Sequence, residues 1–256
     1  MSTLISEIMD SILIEHTNHD IYFSLANDNL VNAQTLDREI LKSGRVARMG
    51  KGDDRYILSD GNPETSSWLN LKLLQLKKLV IPSIIFSALT AEAFINYYAI
   101  SKGMSMKKIK MFTAKHYESE LMSSAETQQQ YQLPYDHVQR TTIKKWIEVT
   151  QGGVLISDTV VRWIEIPFQY TGNYIPSGLD GNRIYQLNEI FKLRNRLVHH
   201  KAKVVKLDLN DLDLSSAEDN NYVTLREAKT AINVVIKAVE SLQEIDNNLD
   251  LSWLSQ

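Results

Sequence analysis

Apolar residues recur along most of the chain at the three- and four-residue spacing that is typical of amphipathic helices. Gly44 and Gly103 follow two of these segments and are expected to end them. Pro82 falls inside the longest segment and is expected to kink or split it. The pattern therefore predicts an all-α protein, with helices over residues 3–15, 30–43, 65–102, 105–130, 136–151 and 183–203, one from Asp158 toward Pro167, and one that begins at about residue 225.

One segment near the N-terminus departs from the helical pattern. Two short β-compatible runs within residues 44–58 flank a Gly-Lys-Gly-Asp turn, which predicts a small β-hairpin. The turn-forming residues 60–63 follow it. We therefore divide the chain into an N-terminal elaboration, residues 1–65, and a helical domain, residues 66–256. Within that domain, Thr224-Leu225-Arg226-Glu227 has the pattern of a capping box that opens the last helix.

Composition narrows the class of protein. The chain has 256 residues, 43% apolar and 23% charged, as in ordinary soluble globular proteins. Its formal net charge of −3 means that a nucleic-acid site would have to be a local basic patch. It has no cysteine, which excludes disulfides and thiolate metal sites. The first residues lack a signal-peptide pattern, and Pro82, Glu92 and Asn96 interrupt the most apolar stretch. We expect a cytoplasmic protein without a membrane span.

The predicted helix 183–203 carries a cation where an apolar residue is expected. Arg194 occupies the apolar stripe of this helix, and burying an unpaired cation is costly. It should therefore face a partner, an oligomer seam or a polar cleft. Asn195 and His199 lie four positions apart and share a face of the helix. The stripe consists of Ile184, Leu187, Phe191, Arg194 and Val198.

The side chains of this motif suit phosphodiester cleavage without a metal. The His199 imidazole can take the proton of a 2′-hydroxyl or donate one to the leaving oxygen. The Arg194 guanidinium can stabilise the negative charge of the transition state, and Asn195 can orient the phosphate or the imidazole. His200 offers an alternative register for the histidine. The competing interpretation is a solvated helix end, where basic side chains interact favourably with the helix dipole.

A second constellation lies in the long helix predicted over residues 65–102. Glu92 is the one carboxylate on the stripe Ile81, Ile85, Ala88, Glu92, Ile95 and Ala99. Asn96 follows four residues later on nearly the same face. A carboxylate among apolar residues requires a partner, and we expect Arg194 or His199 to supply it. The alternative is that Glu92 reaches solvent at the edge of the bundle.

Other polar residues give weaker signals. Basic side chains in the hairpin and beside the motif could bind RNA phosphates, although a solvated turn is the commoner meaning of such a hairpin. They are Arg45, Arg48, Lys51 and Arg55 in the hairpin, and Arg196 and Lys201 beside the motif. His16 and His19 have no further ligand cluster around them and are expected to be solvated. We predict no metal and no cofactor.

The sequence Arg194-Asn195-x-x-x-His199, near the C-terminal end of a helical domain, resembles the signature of the HEPN superfamily. His200 is the alternative register, and an early core helix with Glu92 and Asn96 also looks like HEPN proteins. The resemblance covers roughly residues 66–250. It implies an up-and-down helical bundle, here with an N-terminal elaboration that includes the small hairpin.

Many HEPN proteins are metal-independent endoribonucleases that commonly dimerise and act in toxin–antitoxin, abortive-infection and CRISPR systems. The resemblance therefore implies RNA as the substrate, a homodimer, and an antitoxin or defence-system protein as a partner. Arg194, Asn195 and His199 would be catalytic, with Glu92, Asn96 and His200 in supporting roles. The same fold is compatible with a catalytically silent HEPN-like module that binds a partner protein or a nucleotide.

Overall fold

Helices dominate the computed structural model, which describes residues 17–49, 56–59, 62–113, 157–176, 178–179, 182–198 and 224–255. The only sheet among these residues is a two-stranded antiparallel hairpin. In chain order the elements are α1 His19–Lys42, β1 Val46–Met49, β2 Tyr56–Ser59, α2 Pro63–Ser101, α3 Met106–Ile109, α4 Asp158–Thr171, α5 Arg183–Val198, α6 Leu225–Ile245 and a 3₁₀ helix Ser252–Ser255. The predicted all-α class is confirmed.

The hairpin also lies where the sequence predicts it. Strands β1 and β2 pair antiparallel, with Val46 opposite Ser59 and Met49 opposite Tyr56. Gly44, which precedes the hairpin, has a φ of 70°. This left-handed conformation is unfavourable for residues with a Cβ atom, so glycine suits the turn between α1 and β1.

Several predicted helix boundaries were wrong. Helix α1 begins at His19 and not near residue 30. Helix α2 is continuous over 39 residues, so Pro82 does not split it. A proline removes one backbone hydrogen bond, and packing of a long helix can offset that loss. Of the helix predicted over residues 105–130, the structure describes residues 105–113, where Met106–Ile109 are helical and residues 110–113 are not; residues 114–130 lie outside the described residues. The helices predicted over residues 3–15 and 136–151 lie outside the described residues.

Side-chain caps fix where the helices begin. The Asn62 side chain accepts a hydrogen bond from the Glu64 N–H at 2.9 Å, just before Pro63 opens α2. Ser157 caps α4, one residue earlier than the expected Asp158, and its side chain accepts from the Val160 N–H. At α6 one of the two hydrogen bonds of the predicted capping box is present, because the Thr224 N–H donates to the Glu227 carboxylate at 2.6 Å.

The described residues form two compact units, each with its own core. The first, called the hairpin unit, comprises the described residues within 20–90, 192–236 and 252–255. Its α1 and α2 segments are joined by a hydrogen bond of 2.9 Å from the Ser83 hydroxyl to the Ala26 carbonyl. Leu36, Ile40 and Leu69 form an apolar cluster, and Val46 at the start of the hairpin packs against it. The domain boundary near residue 65 stays a prediction.

The second unit, called the α4 unit, comprises the described residues within 17–19, 91–191 and 237–251. Its core is aromatic, with the rings of Phe94 and Trp163 stacked at a centroid distance of 5.9 Å. The buried Trp163 indole N–H donates to the Ala91 carbonyl at 3.1 Å, so it satisfies the polar atom that its burial would otherwise strand. These contacts fix α4 against the second half of α2.

Helix α2 is long and apolar enough to cross a membrane, and it is the one such helix among the described residues. Within its most apolar stretch, 61% is buried inside the protein. The core helix of a soluble protein has the same length and composition. This feature therefore assigns neither a membrane nor a cytoplasmic location.

Candidate functional site

Helix α5 carries the predicted motif, and its apolar stripe leaves the core where the motif begins. Ile184, Leu187 and Phe191 are buried. One turn further on, Arg194 is half-buried and contacts neighbouring residues. Val198, the last member of the stripe, is 51% exposed. The cation on the stripe therefore lies at the edge of the core, where its stem can pack and its charge can reach a polar ligand.

The described part of α5 ends just before the predicted catalytic histidine. Asn195 and Arg196 are exposed. His199, His200 and Lys201 lie outside the described residues, so the approach of an imidazole to Arg194 stays a prediction. Within the described ranges, no group of three or more His, Asp or Glu side chains could hold a metal ion.

Glu92 has a partner that the sequence reasoning missed. An Arg162 guanidinium nitrogen, Nη1, lies 3.9 Å from the Glu92 carboxylate, and the same nitrogen donates to the Asn96 side-chain oxygen at 3.3 Å. The four-residue spacing of Glu92 and Asn96 on α2 thus presents both side chains to α4. The expected pairing of Glu92 with Arg194 or His199 stays a prediction. The Glu92 side chain is 33% exposed, so its carboxylate contacts both solvent and Arg162.

A sequence signal for Arg162 was available. Residues 159–168 read Thr-Val-Val-Arg-Trp-Ile-Glu-Ile-Pro-Phe, so Arg162 and Glu165 are the only charges within an apolar run. Val161 and Trp163, on either side of Arg162, are buried. By the same argument that singled out Arg194, a cation in this setting requires a partner.

Asn188 is a second polar residue that the sequence reasoning missed. It is only 1% exposed, and neither its amide oxygen nor its amide nitrogen has a hydrogen-bond partner among the described residues. It precedes Asn195 by seven positions, which places both amides on the same side of α5. The signal was a polar residue among the apolar positions 184, 187 and 191 of one helix face.

The basic hairpin is described only in part. The exposed Arg45 guanidinium lies 5.4 Å from the centre of the Trp68 ring, a cation–π geometry. For Arg48 the structure describes the backbone in β1, and Lys51 and Arg55 lie outside the described residues. Stacking of Arg45 on an aromatic ring holds its charge at the surface of the hairpin unit.

The expectation that His19 is solvated was wrong. Its side chain is 8% exposed. Its ring packs edge-on against Phe94 at 5.3 Å and lies 4.7 Å from the Tyr97 ring. The Nδ1 atom lies 2.8 Å from the Thr17 carbonyl oxygen, which satisfies one ring nitrogen. His19 is therefore a packed aromatic residue at the start of α1.

A second polar cluster in the α4 unit consists of Tyr98, Lys102 and Asp246. The Tyr98 hydroxyl donates to the Asp246 carboxylate at 3.0 Å, and the Lys102 ammonium lies 2.5 Å from the same oxygen. Burial acts to raise the pKa of Asp246, but hydrogen bonds from Lys102, Tyr98 and the Asn248 N–H outweigh it and hold that pKa below its ordinary value. Burial, and then the neighbouring Asp246, raise the pKa of Tyr98.

Comparisons with known proteins give no relative for this chain. No protein-family model, no curated protein and no solved structure matches it. A functional assignment therefore depends on the chemistry and placement of its own side chains.

Proposed function

We propose that this protein is a metal-independent endoribonuclease of HEPN type that acts in the cytoplasm in toxin–antitoxin or anti-phage defence. The observation that carries the proposal is the position of Arg194. It is half-buried at the point where the α5 stripe leaves the core, beside the exposed Asn195 and five residues before His199. The role in defence, like the HEPN-type bundle, follows from the resemblance of this motif to the HEPN signature.

In the proposed reaction, His199 accepts the proton of a ribose 2′-hydroxyl, and the 2′-oxygen attacks the adjacent phosphorus. The bond from phosphorus to the 5′-oxygen breaks, and this leaving oxygen takes the proton from the His199 imidazolium. Arg194 stabilises the charge on the phosphoryl oxygens, and Asn195 orients the phosphate. The products are a 2′,3′-cyclic phosphate and a 5′-hydroxyl. The two side chains supply proton transfer and charge stabilisation, so the reaction requires no metal.

The proposal includes a homodimer and an RNA ligand. Arg194 and His199 point about 140° apart on a helix, so one copy displays them obliquely and a second copy could complete the cleft. Basic side chains would bind the RNA backbone, and an antitoxin or defence-system protein would control the activity. The basic candidates are Arg196, Lys201, Arg45, Arg48, Lys51 and Arg55.

Cleavage of single-stranded RNA in the presence of EDTA tests this function. We expect His199→Ala and Arg194→Ala each to lower the cleavage rate by at least about a hundredfold, because each removes a group that acts in the transition state. His200→Ala should be milder, and Arg38→Ala should match wild type, since Arg38 is exposed on α1. The product should carry a 2′,3′-cyclic phosphate. Light scattering should report a dimer at micromolar concentration.

The control for this experiment is an unchanged melting temperature in each variant. Full activity in a folded His199→Ala protein would contradict the enzymatic proposal. The alternative is then a catalytically silent HEPN-like module that binds a partner protein or a nucleotide. Exposed apolar residues on α2 favour a protein partner in that case, because Leu71 and Leu74 lie one turn apart and are 56% and 52% exposed.

A further inference from the structure

We infer that Arg162 forms an anion-binding subsite that holds a backbone phosphate of the RNA, a proposal that rests on the ribonuclease function above. Nothing in the motif on α5 requires this residue. Its environment on α4 nevertheless differs from that of an arginine in a well-formed salt bridge. Arg162 is largely buried, its partners are distant, and some of its N–H groups have no acceptor.

Arg162 is a permanent positive charge that the protein largely buries. The Arg162 side chain is only 13% exposed, and its neighbours Val161 and Trp163 are buried. A guanidinium stays protonated even in such surroundings. The protein must therefore supply acceptors for its five N–H groups or bear the cost of leaving them unfilled.

The Arg162 guanidinium has few hydrogen-bond acceptors around it. The Nη1 atom makes one long hydrogen bond, of 3.3 Å, to Asn96. The Glu92 carboxylate lies 3.9 Å away, too far for a hydrogen bond. The Nε atom is buried and has no hydrogen-bond partner among the described residues. Nη2 likewise has no hydrogen bond to a described group.

The two unused donors of Arg162 share one edge of the guanidinium. Nε and Nη2 are neighbours on one side of the planar guanidinium, and their N–H bonds are parallel. This edge binds two oxygens of a phosphate or carboxylate at once. Glu92 and Asn96 act on the opposite side, at Nη1, and fix the plane of the group. They are positioning residues that leave Nε and Nη2 without acceptors. Because Nε is buried, a phosphate reaches both donors only when the side chains around this edge move apart.

The anion that we expect at this edge is a phosphodiester of the RNA backbone. A phosphodiester presents two non-bridging oxygens with the spacing of the guanidinium fork, and the proposed substrate carries one at each nucleotide. Glu92 offsets the charge of Arg162 in the absence of ligand, and its partial exposure weakens its competition for the guanidinium. A free carboxylate ligand fits the same edge and is the alternative that the experiment must separate.

The first arm of the test uses inorganic phosphate and the intact protein. Phosphate should raise the melting temperature of wild type by a few degrees over chloride of equal ionic strength, because it binds only the folded state. The shift should be clearly smaller in Arg162→Met than in wild type, because only the phosphate sites elsewhere remain, and it should be intermediate in Arg162→Lys, which keeps the charge without the fork. Arg38→Met, which removes an exposed charge from α1, should respond like wild type. An equal shift in wild type and Arg162→Met, or an equal shift with acetate, overturns the phosphate subsite.

The second arm uses a 2′-O-methyl oligonucleotide, which keeps every phosphate and lacks the nucleophilic hydroxyl. Arg162→Met should weaken its binding about tenfold, and the slope of log Kd against log salt should fall by about 0.7, as for one lost phosphate contact to a single strand. If RNA is cleaved and bound equally by wild type and Arg162→Met, the subsite is wrong and the ribonuclease proposal stands. If phosphate binding depends on Arg162 but no RNA binds, Arg162 is an anion site for another ligand, and both the RNA assignment and the ribonuclease proposal fail.

Discussion

Helix α2 carries two polar trios that differ in how well their groups are satisfied. Each trio joins two side chains that lie four positions apart, at or just after the C-terminal part of α2, to one side chain from elsewhere in the α4 unit. They are the open trio, Glu92, Asn96 and Arg162, and the closed trio, Tyr98, Lys102 and Asp246. The same four-residue spacing thus produces two different kinds of contact, one within α2 and one where Lys102 follows its last residue.

In the closed trio every short-range requirement of the buried charge is met. Asp246 is 9% exposed, and one carboxylate oxygen accepts from Tyr98 at 3.0 Å and contacts Lys102 at 2.5 Å. The other oxygen accepts from the Asn248 N–H at 3.4 Å. Lys102 also lies 5.5 Å from the centre of the Tyr98 ring. Such a network stabilises the ends of α2 and α6, where the last carbonyls also favour a cation.

In the open trio the buried cation lacks acceptors, since Arg162 has one long hydrogen bond and a distant carboxylate. Unfilled buried donors lower stability by about 1–3 kcal/mol each. Departures from full satisfaction concentrate at functional sites. We therefore expect the closed trio to stabilise the fold and, on our proposal, the open trio to bind an anion.

Loss of Asp246 should have the largest effect on stability. Asp246→Ala removes the shared partner of Lys102 and Tyr98 and should lower the free energy of unfolding by about 2 kcal/mol. A fully buried pair costs about 3–5 kcal/mol to break, but Lys102 stays 27% exposed and recovers hydration. Chemical denaturation measures the change, with the exposed Asp28→Ala on α1 as control. A loss no greater than that of Asp28→Ala would show that the trio does not stabilise the fold.

The pH dependence of stability sharpens the same comparison. The pKa of Asp246 is lowered in the folded protein, so its contribution is present above the unfolded value of about 4 and is lost as pH falls through the folded value. The pKa of Tyr98 is raised, so its contribution is present below about pH 10 and is lost as pH rises through the folded value.

Melting curves of wild type and Asp246→Asn between about pH 2 and 8 test this expectation, because the variant cannot titrate at this position. The stability gap between them should be constant near neutrality and narrow below about pH 4. A gap that widens on acidification would mean that Asp246 is stabilised in its protonated form, contrary to the contacts of the closed trio.

The sequence predicted those parts of the fold that depend on local periodicity and local caps. The hairpin and the Thr224–Glu227 cap are predicted from a few residues of chain, and the structure contains the hairpin and one of the two hydrogen bonds of the cap. The start of α1 and the continuity of α2 through Pro82 depend on packing between distant segments, such as the hydrogen bond from Ser83 to Ala26. Local pattern carries no information about such contacts.

The candidate site shows the same limit. Arg162 fulfils the expectation that Glu92 has a cationic partner, and the expectation that Arg194 or His199 also pairs with Glu92 stays a prediction. Arg162, 70 positions along the chain, lies beside Glu92 in the structure. Residue spacing within one helix does not determine how two helices pack, so the pattern around Glu92 could not identify Arg162 as a partner.

Asn188 is a buried neutral side chain without a hydrogen-bond partner among the described residues, and its replacement should have the smallest effect on the free energy of unfolding. Asn188→Leu should raise the free energy of unfolding by about 1 kcal/mol, because an apolar side chain of similar size replaces a buried amide that has no partner among the described residues. The midpoint of chemical denaturation measures the change, with Asn233→Leu at an exposed position of α6 as control. If Asn188 belongs with Arg162 among the groups available for a ligand, the more stable variant should also cleave RNA more slowly. A variant that is less stable than wild type would place Asn188 with the closed trio, as a satisfied structural residue.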